Sequence, residues 1–241
     1  KDILTTHTVY WPTMLKAMGV PMPETVFAHG WWLVGRDKMS KSKGNVINPM
    51  EMAETYGVDA FRYFLMAEMS LGQDASFTEE AFVRRYNADL ANDLGNMLSR
   101  VMKMVGDYCG GAIPTPAQAG EDEKHLQEAV LTAANHLVES VANMRIDLGL
   151  GGLAGAVREA NRYLEKRQPW TLAKKGQKEE LGTVLYFAAE ALRIVSGMLY
   201  PVMPGKMLAL RSALGCAQAD LDFGSLREWG KLKPGTKIDK M

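Results

Sequence analysis

The sequence predicts a mainly α-helical fold, in which a helix bundle follows a small α/β segment. After residue 78 apolar residues recur at three- and four-residue intervals, whereas the first third changes character often and holds a β-rich stretch at 25–35. The chain has 241 residues, and 47% of them are hydrophobic, which is ordinary for a protein with a buried core. A disordered tail, a collagen-like repeat and a small disulfide scaffold are therefore excluded.

The first third holds several short elements. Residues 5–18 can form a short helix, and residues 25–35 are predicted to contain strand structure, followed by a polar loop. Asn48 is predicted to be the N-cap of a helix that has proline at its first position and that ends at Gly57. Asp59 is predicted to be the N-cap of a second helix.

The remainder of the chain is predicted to be a helix bundle. Thr78 precedes two glutamates and is expected to start a helix that ends near Cys109. Its apolar stripe consists of Leu90, Leu94, Met97, Val101 and Met104. Further helices are expected at about 122–143, 150–166, 169–176, 179–199 and 204–214. The tail from Gly230 is expected to be a loop or a frayed end.

Charge and cysteine content limit the classes of function. The chain has 28 basic and 28 acidic residues, but residues 36–43 carry a net charge of +3 and residues 158–178 a net charge of +5. Two such segments are compatible with phosphate binding at two places, although a charge run by itself is more commonly a solvated helix face or loop. Cys109 and Cys216 have neither a zinc-ligand nor a disulfide spacing, which favours a reducing cytoplasm. No run approaches the roughly 18 apolar residues of a membrane span.

The most informative stretch is the lysine-rich segment, residues 38–45, with the sequence Lys-Met-Ser-Lys-Ser-Lys-Gly-Asn. Its ammonium groups can converge on a polyphosphate, and its hydroxyl and backbone N–H groups can donate to phosphate oxygens. Such a segment suits a reaction in which charge develops on a leaving pyrophosphate. By composition alone, a lysine-rich surface turn is the competing interpretation.

The order of residues in this segment resembles the KMSKS signature of class I aminoacyl-tRNA synthetases. Three adjoining blocks, at 27–31, 44–49 and 56–65, are similar to the subgroup that contains the methionine, leucine, isoleucine, valine and cysteine enzymes. The resemblance implies that this segment approaches ATP and stabilises amino acid adenylation. It implies catalytic, phosphate-facing roles for Lys38 and Lys41. The same comparison assigns supporting contacts with ATP to Ser40 and Ser42.

Residues 2–12 look like a segment of methionyl-tRNA synthetases near the end of their nucleotide-binding fold. The resemblance implies that Asp2 binds the adenosine ribose and that His29 lies close to ATP. It also implies that Ile3 and His7 border the methionine side chain, since an apolar wall and an imidazole N–H suit a thioether. Without the family, both histidines are more simply interpreted as structural.

A second constellation lies in the helical part. Asn96 and Arg100 share a helix face, and Trp170 follows a Gln-Pro pair within the basic segment 158–178. An aromatic surface, an amide and a guanidinium are suited to unpaired bases. Residues 96–100 and 168–170 resemble the readers of the CAU anticodon in methionyl-tRNA synthetases. Taken singly, Trp170 is better interpreted as a half-buried core residue, and Asn96 and Arg100 as an exposed polar face.

The resemblance spans essentially the whole chain and implies a C-terminal portion of a bacterial-type methionyl-tRNA synthetase. It implies the end of a Rossmann-type catalytic domain at 1–35, the KMSKS loop and stem-contact region at 36–75 and a helical anticodon-binding domain at 76–241. The expected partners are methionine, ATP with Mg²⁺ as substrate, tRNA(Met) and a missing N-terminal catalytic half, without which we expect no catalysis. Neither a membrane nor zinc is expected in this portion, and the location is expected to be cytoplasmic. The alternatives are a valine, leucine, isoleucine or cysteine enzyme, or a non-catalytic tRNA-binding module.

Overall fold

The computed structural model describes residues 3–35, 37–40, 44–216 and 221–239. Helices dominate, as predicted, and three short strands form one sheet. The strands are β1 (Trp32–Val34), β2 (Asp37–Lys38) and β3 (Ala75–Ser76). The α-helices are α1 (Trp11–Ala17), α2 (Pro49–Tyr56), α3 (Val58–Glu68), α4 (Glu79–Arg85), α5 (Asn96–Cys109), α6 (Glu121–Ala142), α7 (Ile146–Arg167), α8 (Pro169–Lys174), α9 (Lys178–Leu199) and α10 (Pro204–Ala213). Two π-helical stretches, Thr6–Tyr10 and Tyr86–Gly95, continue directly into α1 and α5.

The N-terminal helical segment spans residues 6–17 and confirms the short helix predicted at 5–18. None of these residues is buried within the described part of the chain. Tyr10, Trp11 and Met14 are among the exposed large side chains, together with Ile3 just before the segment. The segment therefore displays apolar surface and adds nothing to the core of the bundle.

Strand β1 is the middle strand of the sheet. It pairs antiparallel with β2 and parallel with β3. The strand predicted at 25–35 is confirmed only near its C-terminal end, and residues 25–31 lie outside it. The prediction was too long because a strand extends only as far as its partner, and β3 offers just two residues, opposite Trp32 and Leu33.

A small aromatic cluster joins the sheet to α2, α3 and α4. Its buried members are Met52, Ala60, Phe64, Phe77 and Phe82. The rings of Phe77 and Phe82 each lie 5.3 Å from that of Phe64, centroid to centroid. Trp32 of β1 and Met39 just after β2 pack against this cluster from the sheet side. The cluster therefore fixes the position of the strands from which the lysine-rich segment extends.

Local sequence signals set the ends of these helices as predicted. The Asn48 side chain caps α2 by accepting from the N–H of Met50 at 3.0 Å. Gly57 ends α2 with φ of 90°, a backbone conformation that favours glycine. Thr78 caps α4 by accepting from the N–H of Ala81 at 3.1 Å.

The prediction that Asp59 caps its own helix is wrong. Helix α3 already begins at Val58, and Asp59 is buried inside its first turn. Its carboxylate instead accepts from the backbone N–H of Lys206, at 2.5 Å, in the first turn of α10. Asp59 therefore stabilises a distant helix start, which local spacing did not indicate.

The bundle is formed by the helices from α4 onward, and its observed helices match the predicted ones closely. Of the apolar stripe, four residues are buried and Leu90 is half-buried. Helix α7 begins at Ile146, earlier than expected, and Gly149 in its first turn is a site of close helix packing. A Cβ on that glycine would lie 2.6 Å from a methyl group of Leu137 on α6.

Helix α9 lies at the centre of the bundle. By length and composition it could cross a membrane, but its most apolar 18-residue stretch is wholly buried inside the protein. Every residue from 181 to 199 is buried, including the ion pair between Glu190 and Arg193. The helix is therefore the core helix of this bundle.

The tail after Gly230 is a loop, as expected, but it is not frayed up to residue 239. The Glu190 carboxylate accepts from the backbone N–H groups of Gly230, Lys231 and Leu232 at 2.8–3.0 Å. Leu232 is 2% exposed. The tail is thus attached to α9 by a buried carboxylate, whose partners are backbone groups that carry no sequence signal.

We expect Glu190→Ala to lower the free energy of unfolding by about 3–5 kcal/mol, because it leaves the Arg193 guanidinium buried without its carboxylate. Urea denaturation followed by circular dichroism measures the change. The control is Glu228→Ala, which removes an exposed carboxylate that pairs with Lys231 and should cost less than about 1 kcal/mol. Equal losses in the two variants would contradict the assigned role of Glu190.

Candidate functional site

The first candidate site is at the β1–β2 hairpin, where the lysine-rich segment begins. Lys38 is the last residue of β2 and pairs with Leu33 of β1. The Lys38 side chain is exposed, and its Nζ lies 3.3 Å from the ring centroid of Trp31. The predicted phosphate-facing lysine therefore stands at the surface, at the start of the segment.

The backbone around Ser40 is held by one amide side chain. Asn45 Oδ1 accepts from the N–H of Ser40 at 2.8 Å, and Asn45 Nδ2 donates to the carbonyl oxygen of Lys38 at 3.3 Å. Ser40 is half-buried. Of the other predicted ATP-binding residues in this region, Lys41 and Ser42 lie outside the described residues.

His29 stands on the chain just before β1. It is exposed, and its Nδ1 lies 2.7 Å from the carbonyl oxygen of Gly30, within hydrogen-bond distance. Gly30 itself is buried against the turn before β3, where an added Cβ would lie 1.8 Å from the carbonyl oxygen of Gln73. Only glycine fits there, so the backbone that presents His29 is closely fixed.

The two predicted methionine-binding residues lie one helical turn apart. His7 Nδ1 is 3.0 Å from the carbonyl oxygen of Ile3, and both side chains are exposed. The His7 ring also contacts Trp11 edge-on, with 6.4 Å between the ring centroids. Asp2, the predicted ribose ligand, lies outside the described residues.

The second candidate site is on the bundle, between α5 and α8. The Arg100 guanidinium lies 5.7 Å from the centroid of the Trp170 ring, and it forms an ion pair with Glu165 at 3.7 Å. Asn96 is exposed one turn before Arg100 on α5. The fold thus brings Arg100 and Trp170 together, although they are 70 positions apart in sequence, and Asn96 lies on the same helix as Arg100.

The junction of α7 and α8 sets the orientation of Trp170. Gln168 takes a left-handed backbone conformation with φ of 45°, and Pro169 starts α8. Just before it, the Tyr163 hydroxyl donates to the buried Glu123 carboxylate at 2.7 Å, and burial raises the pKa of Tyr163 well above its usual range. Trp170 is half-buried and packs against the bundle core, so it combines an exposed part with a structural one.

The basic segment 158–178 presents less free charge than its sequence suggests. Four of its seven cations form ion pairs within the fold: Arg158, Arg162, Lys166 and Arg167. The other three, Lys174, Lys175 and Lys178, are exposed, and the described residues show no ion pair for them. Unneutralised positive charge therefore concentrates around the end of α8, close in sequence to Trp170.

Two residues of the first site were missed by sequence reasoning. The sequence places Trp31 in the block 27–31 and Asn45 in the lysine-rich segment, but it indicates no role for either residue. The strand pairing offers a signal for Trp31, because residues two apart on a strand share a face. Asn45 is recognisable only from its hydrogen bonds to both Lys38 and Ser40.

Comparison with known proteins identifies the class first. Residues 1–102 match the family model described as tRNA synthetases class I (M). The matched residues include the lysine-rich segment, and the class agrees with the one that this segment resembles.

Similar proteins from two bacteria are both methionine–tRNA ligases. The chain is 40% identical to a methionine–tRNA ligase of Caldanaerobacter subterraneus subsp. tengcongensis over 241 residues, which are 100% of this chain and 38% of that protein. It is 44% identical to one of Lactococcus lactis subsp. lactis over 227 residues, 94% of this chain and 34% of that protein. The chain is homologous to the C-terminal portion of methionyl-tRNA synthetases.

The fold agrees with this relationship. A structure of Mycobacterium tuberculosis methionyl-tRNA synthetase in complex with methionyl-adenylate superposes with a TM-score of 0.94 at 34% identity, covering 100% of this chain and 47% of that one. The predicted family and the predicted mainly helical fold are confirmed. The chain spans less than half the length of the relatives it matches.

Proposed function

We propose that this chain is part of a methionine–tRNA ligase that uses ATP to convert methionine to methionyl-adenylate and then transfers methionine to tRNA(Met). The observation that carries the proposal is the similarity along the whole chain to methionyl-tRNA synthetases, in sequence and in fold. The exposed Lys38 and the pairing of Arg100 with Trp170 support it. In this proposal the chain contributes the lysine-rich segment and anticodon recognition.

Adenylation requires a methionine carboxylate oxygen to attack the α-phosphorus of ATP while pyrophosphate leaves. Lys38 and Lys41 stabilise the negative charge that develops on the pyrophosphate, and Ser40 and Ser42 donate to its oxygens. Mg²⁺ enters with ATP and is held largely by the phosphates. The described residues contain no group of three or more metal-ligating side chains.

The other contacts of the reactants follow from the N-terminal segment. In this proposal Asp2 accepts from the ribose hydroxyls, and His29 lies beside the nucleotide. Ile3 and His7 form one wall for the methionine side chain, for which their shared exposed face offers support. The domain boundaries proposed are 1–35, 36–75 and 76–241, and the proposed location is the cytoplasm.

Amino-acid-dependent ATP–pyrophosphate exchange, measured in a full-length protein that contains this chain, tests the proposed reaction. We expect methionine to stimulate exchange. Stimulation by valine, leucine, isoleucine or cysteine, but not by methionine, would point to another enzyme of the subgroup. Binding of tRNA without any exchange would point to a non-catalytic module.

Lys41→Ala in the full-length protein should slow exchange by about one to two orders of magnitude, because a cation facing pyrophosphate acts mainly as charge develops. The dissociation constant for methionine should stay within about twofold of wild type. The matched control is Lys103→Ala, which removes an exposed lysine of α5. Exchange at the wild-type rate in Lys41→Ala would show that Lys41 is a surface lysine.

Recognition of the anticodon is proposed for the site between α5 and α8. Trp170 stacks on a base of the CAU anticodon, while Asn96 and Arg100 address base edges. The exposed lysines near the end of α8 add an attraction to phosphates that is independent of sequence. Binding of an RNA stem-loop with CAU at its tip should therefore be selective and salt-dependent.

Trp170→Ala should weaken binding of the CAU stem-loop by about 1–3 kcal/mol, since one stacking surface is lost. Fluorescence anisotropy measures it against a stem-loop of unrelated sequence. Tyr108→Ala, which removes an exposed aromatic residue near the end of α5, is the matched control and should have no effect. Circular dichroism checks the helix content, because Trp170 also packs against the core.

A second comparison separates the contribution of Trp170 stacking to the binding energy from that of the lysine charges. Lys174→Ala should weaken both stem-loops equally and flatten the dependence of affinity on salt concentration. Trp170→Ala should instead reduce the preference for CAU. Equal affinity of the wild-type chain for the two stem-loops at moderate salt would contradict the proposed anticodon recognition.

A further inference from the structure

The exposed start of the lysine-rich segment is held by contacts with its own hairpin. Lys38 pairs with Leu33 across the β1–β2 ladder, so their side chains lie on the same face. Trp31 precedes Leu33 by two residues and therefore also lies on that face. This register places Trp31 diagonally opposite Lys38, where a long side chain reaches a ring.

The contact between them restricts the lysine. The Lys38 Nζ lies 3.3 Å from the Trp31 ring centroid, well within the range of a cation–π interaction. A lysine side chain has four rotatable bonds, so an exposed lysine otherwise populates many rotamers. The indole face selects rotamers that keep the ammonium group beside the hairpin.

Asn45 holds the backbone on both sides of Met39. Its Oδ1 accepts from the N–H of Ser40 while its Nδ2 donates to the carbonyl oxygen of Lys38. The two bonds need one acceptor and one donor; the Asn45 amide supplies them from two separate atoms, whereas an ionised carboxylate can only accept. Gly44, with φ of +66°, turns the chain so that Asn45 reaches back to this backbone.

Met39 anchors the same stretch from the opposite side. Its side chain packs against the aromatic cluster of Met52, Ala60, Phe64, Phe77 and Phe82. Side chains alternate along an extended chain, so anchoring Met39 inward favours outward positions for Lys38 and Ser40. The position of Lys38 is therefore set by a ring contact, a backbone bridge and a packed neighbour.

We propose that Trp31 and Asn45 are positioning residues for adenylation: Trp31 orients the Lys38 ammonium group, and Asn45 fixes the backbone at Lys38 and Ser40. The proposal rests on the proposed function, since it assigns Lys38 to the phosphates of ATP. These contacts are made by the chain's own residues, so they reduce the conformational entropy that Lys38 loses when it engages the phosphates. Both residues act on the ATP step and leave methionine binding unchanged.

The first test is ATP–pyrophosphate exchange in the full-length protein. Asn45→Ala should lower kcat/KM for ATP by about tenfold, as expected for the loss of two hydrogen bonds, with KM for methionine within twofold. The matched control is Asn48→Ala, which removes an amide from the nearby cap of α2 and should leave exchange unchanged. Exchange at the wild-type rate in Asn45→Ala would overturn the assignment of Asn45.

Trp31 is tested through Lys38. Trp31→Leu should lower kcat/KM for ATP by about two- to fivefold, while Trp31→Phe, which keeps an aromatic face, should retain most of it. In a Lys38→Ala background Trp31→Leu should cause no additional loss, because its partner is gone. An equal loss in the two backgrounds would mean that Trp31 serves the sheet and does not position Lys38.

Limited proteolysis gives a readout that does not depend on activity. Trypsin cleaves after Lys38, and mass spectrometry follows the Lys38–Met39 bond in the absence of ATP. Cleavage should be several-fold faster in Asn45→Ala than in wild type or Asn48→Ala, with unchanged helix content by circular dichroism. Equal cleavage rates would overturn the proposal that Asn45 fixes the backbone at Lys38 and Ser40. A wild-type protein without methionine-dependent exchange would instead refute the proposed function. The cleavage comparison would still test whether Asn45 fixes the backbone at Lys38 and Ser40.

Discussion

The complete burial of α9 is the constraint on which the bundle depends. A helix with no exposed face from 181 to 199 must be covered on every side, and its polar groups must find partners inside the protein. Glu190 and Arg193 satisfy each other and then bind backbone groups of the C-terminal tail. Arg211 of α10 donates to the carbonyl oxygen of Arg193 at 2.8 Å. The tail and α10 are therefore held by hydrogen bonds with the buried polar groups of one core helix.

A second set of polar contacts joins the aromatic cluster to the bundle. Asp59 caps α10, and Arg62 on the same helix donates to the carbonyl oxygens of Pro201 and Val202 at 2.9 and 2.8 Å. These bonds are directional, in contrast to apolar packing, so they define how α3 sits against the start of α10. Helix α3 contributes to the aromatic cluster against which Trp32 and Met39 pack, so its position also determines that of the sheet and of Lys38. The two candidate sites thus belong to one connected framework.

Electrostatics divides the basic residues of the bundle into two groups. Those on α7 mostly face carboxylates of neighbouring elements, as Arg158 faces Asp93 at 3.3 Å and Lys166 faces Asp122 at 2.6 Å. They secure the framework that presents Trp170. The lysines around the end of α8 are exposed and show no ion pair among the described residues. A count of charges along the sequence does not separate these groups, because both sets lie within one basic segment.

The sequence by itself determined the helices, their local caps and the chemistry of the lysine-rich segment. Caps such as Thr78 depend on residues three positions apart, and an apolar period of three to four needs no distant partner. The tertiary structure alone decided three features: the length of the strand, the true partner of Asp59 and the contact of Arg100 with Trp170. Each of these joins residues far apart in the chain, and distance in space is set by packing that no local pattern encodes. The contacts of Lys38 with Trp31 and Asn45 join residues only seven positions apart, but they too depend on the folded structure, because a strand register and a side-chain amide create them.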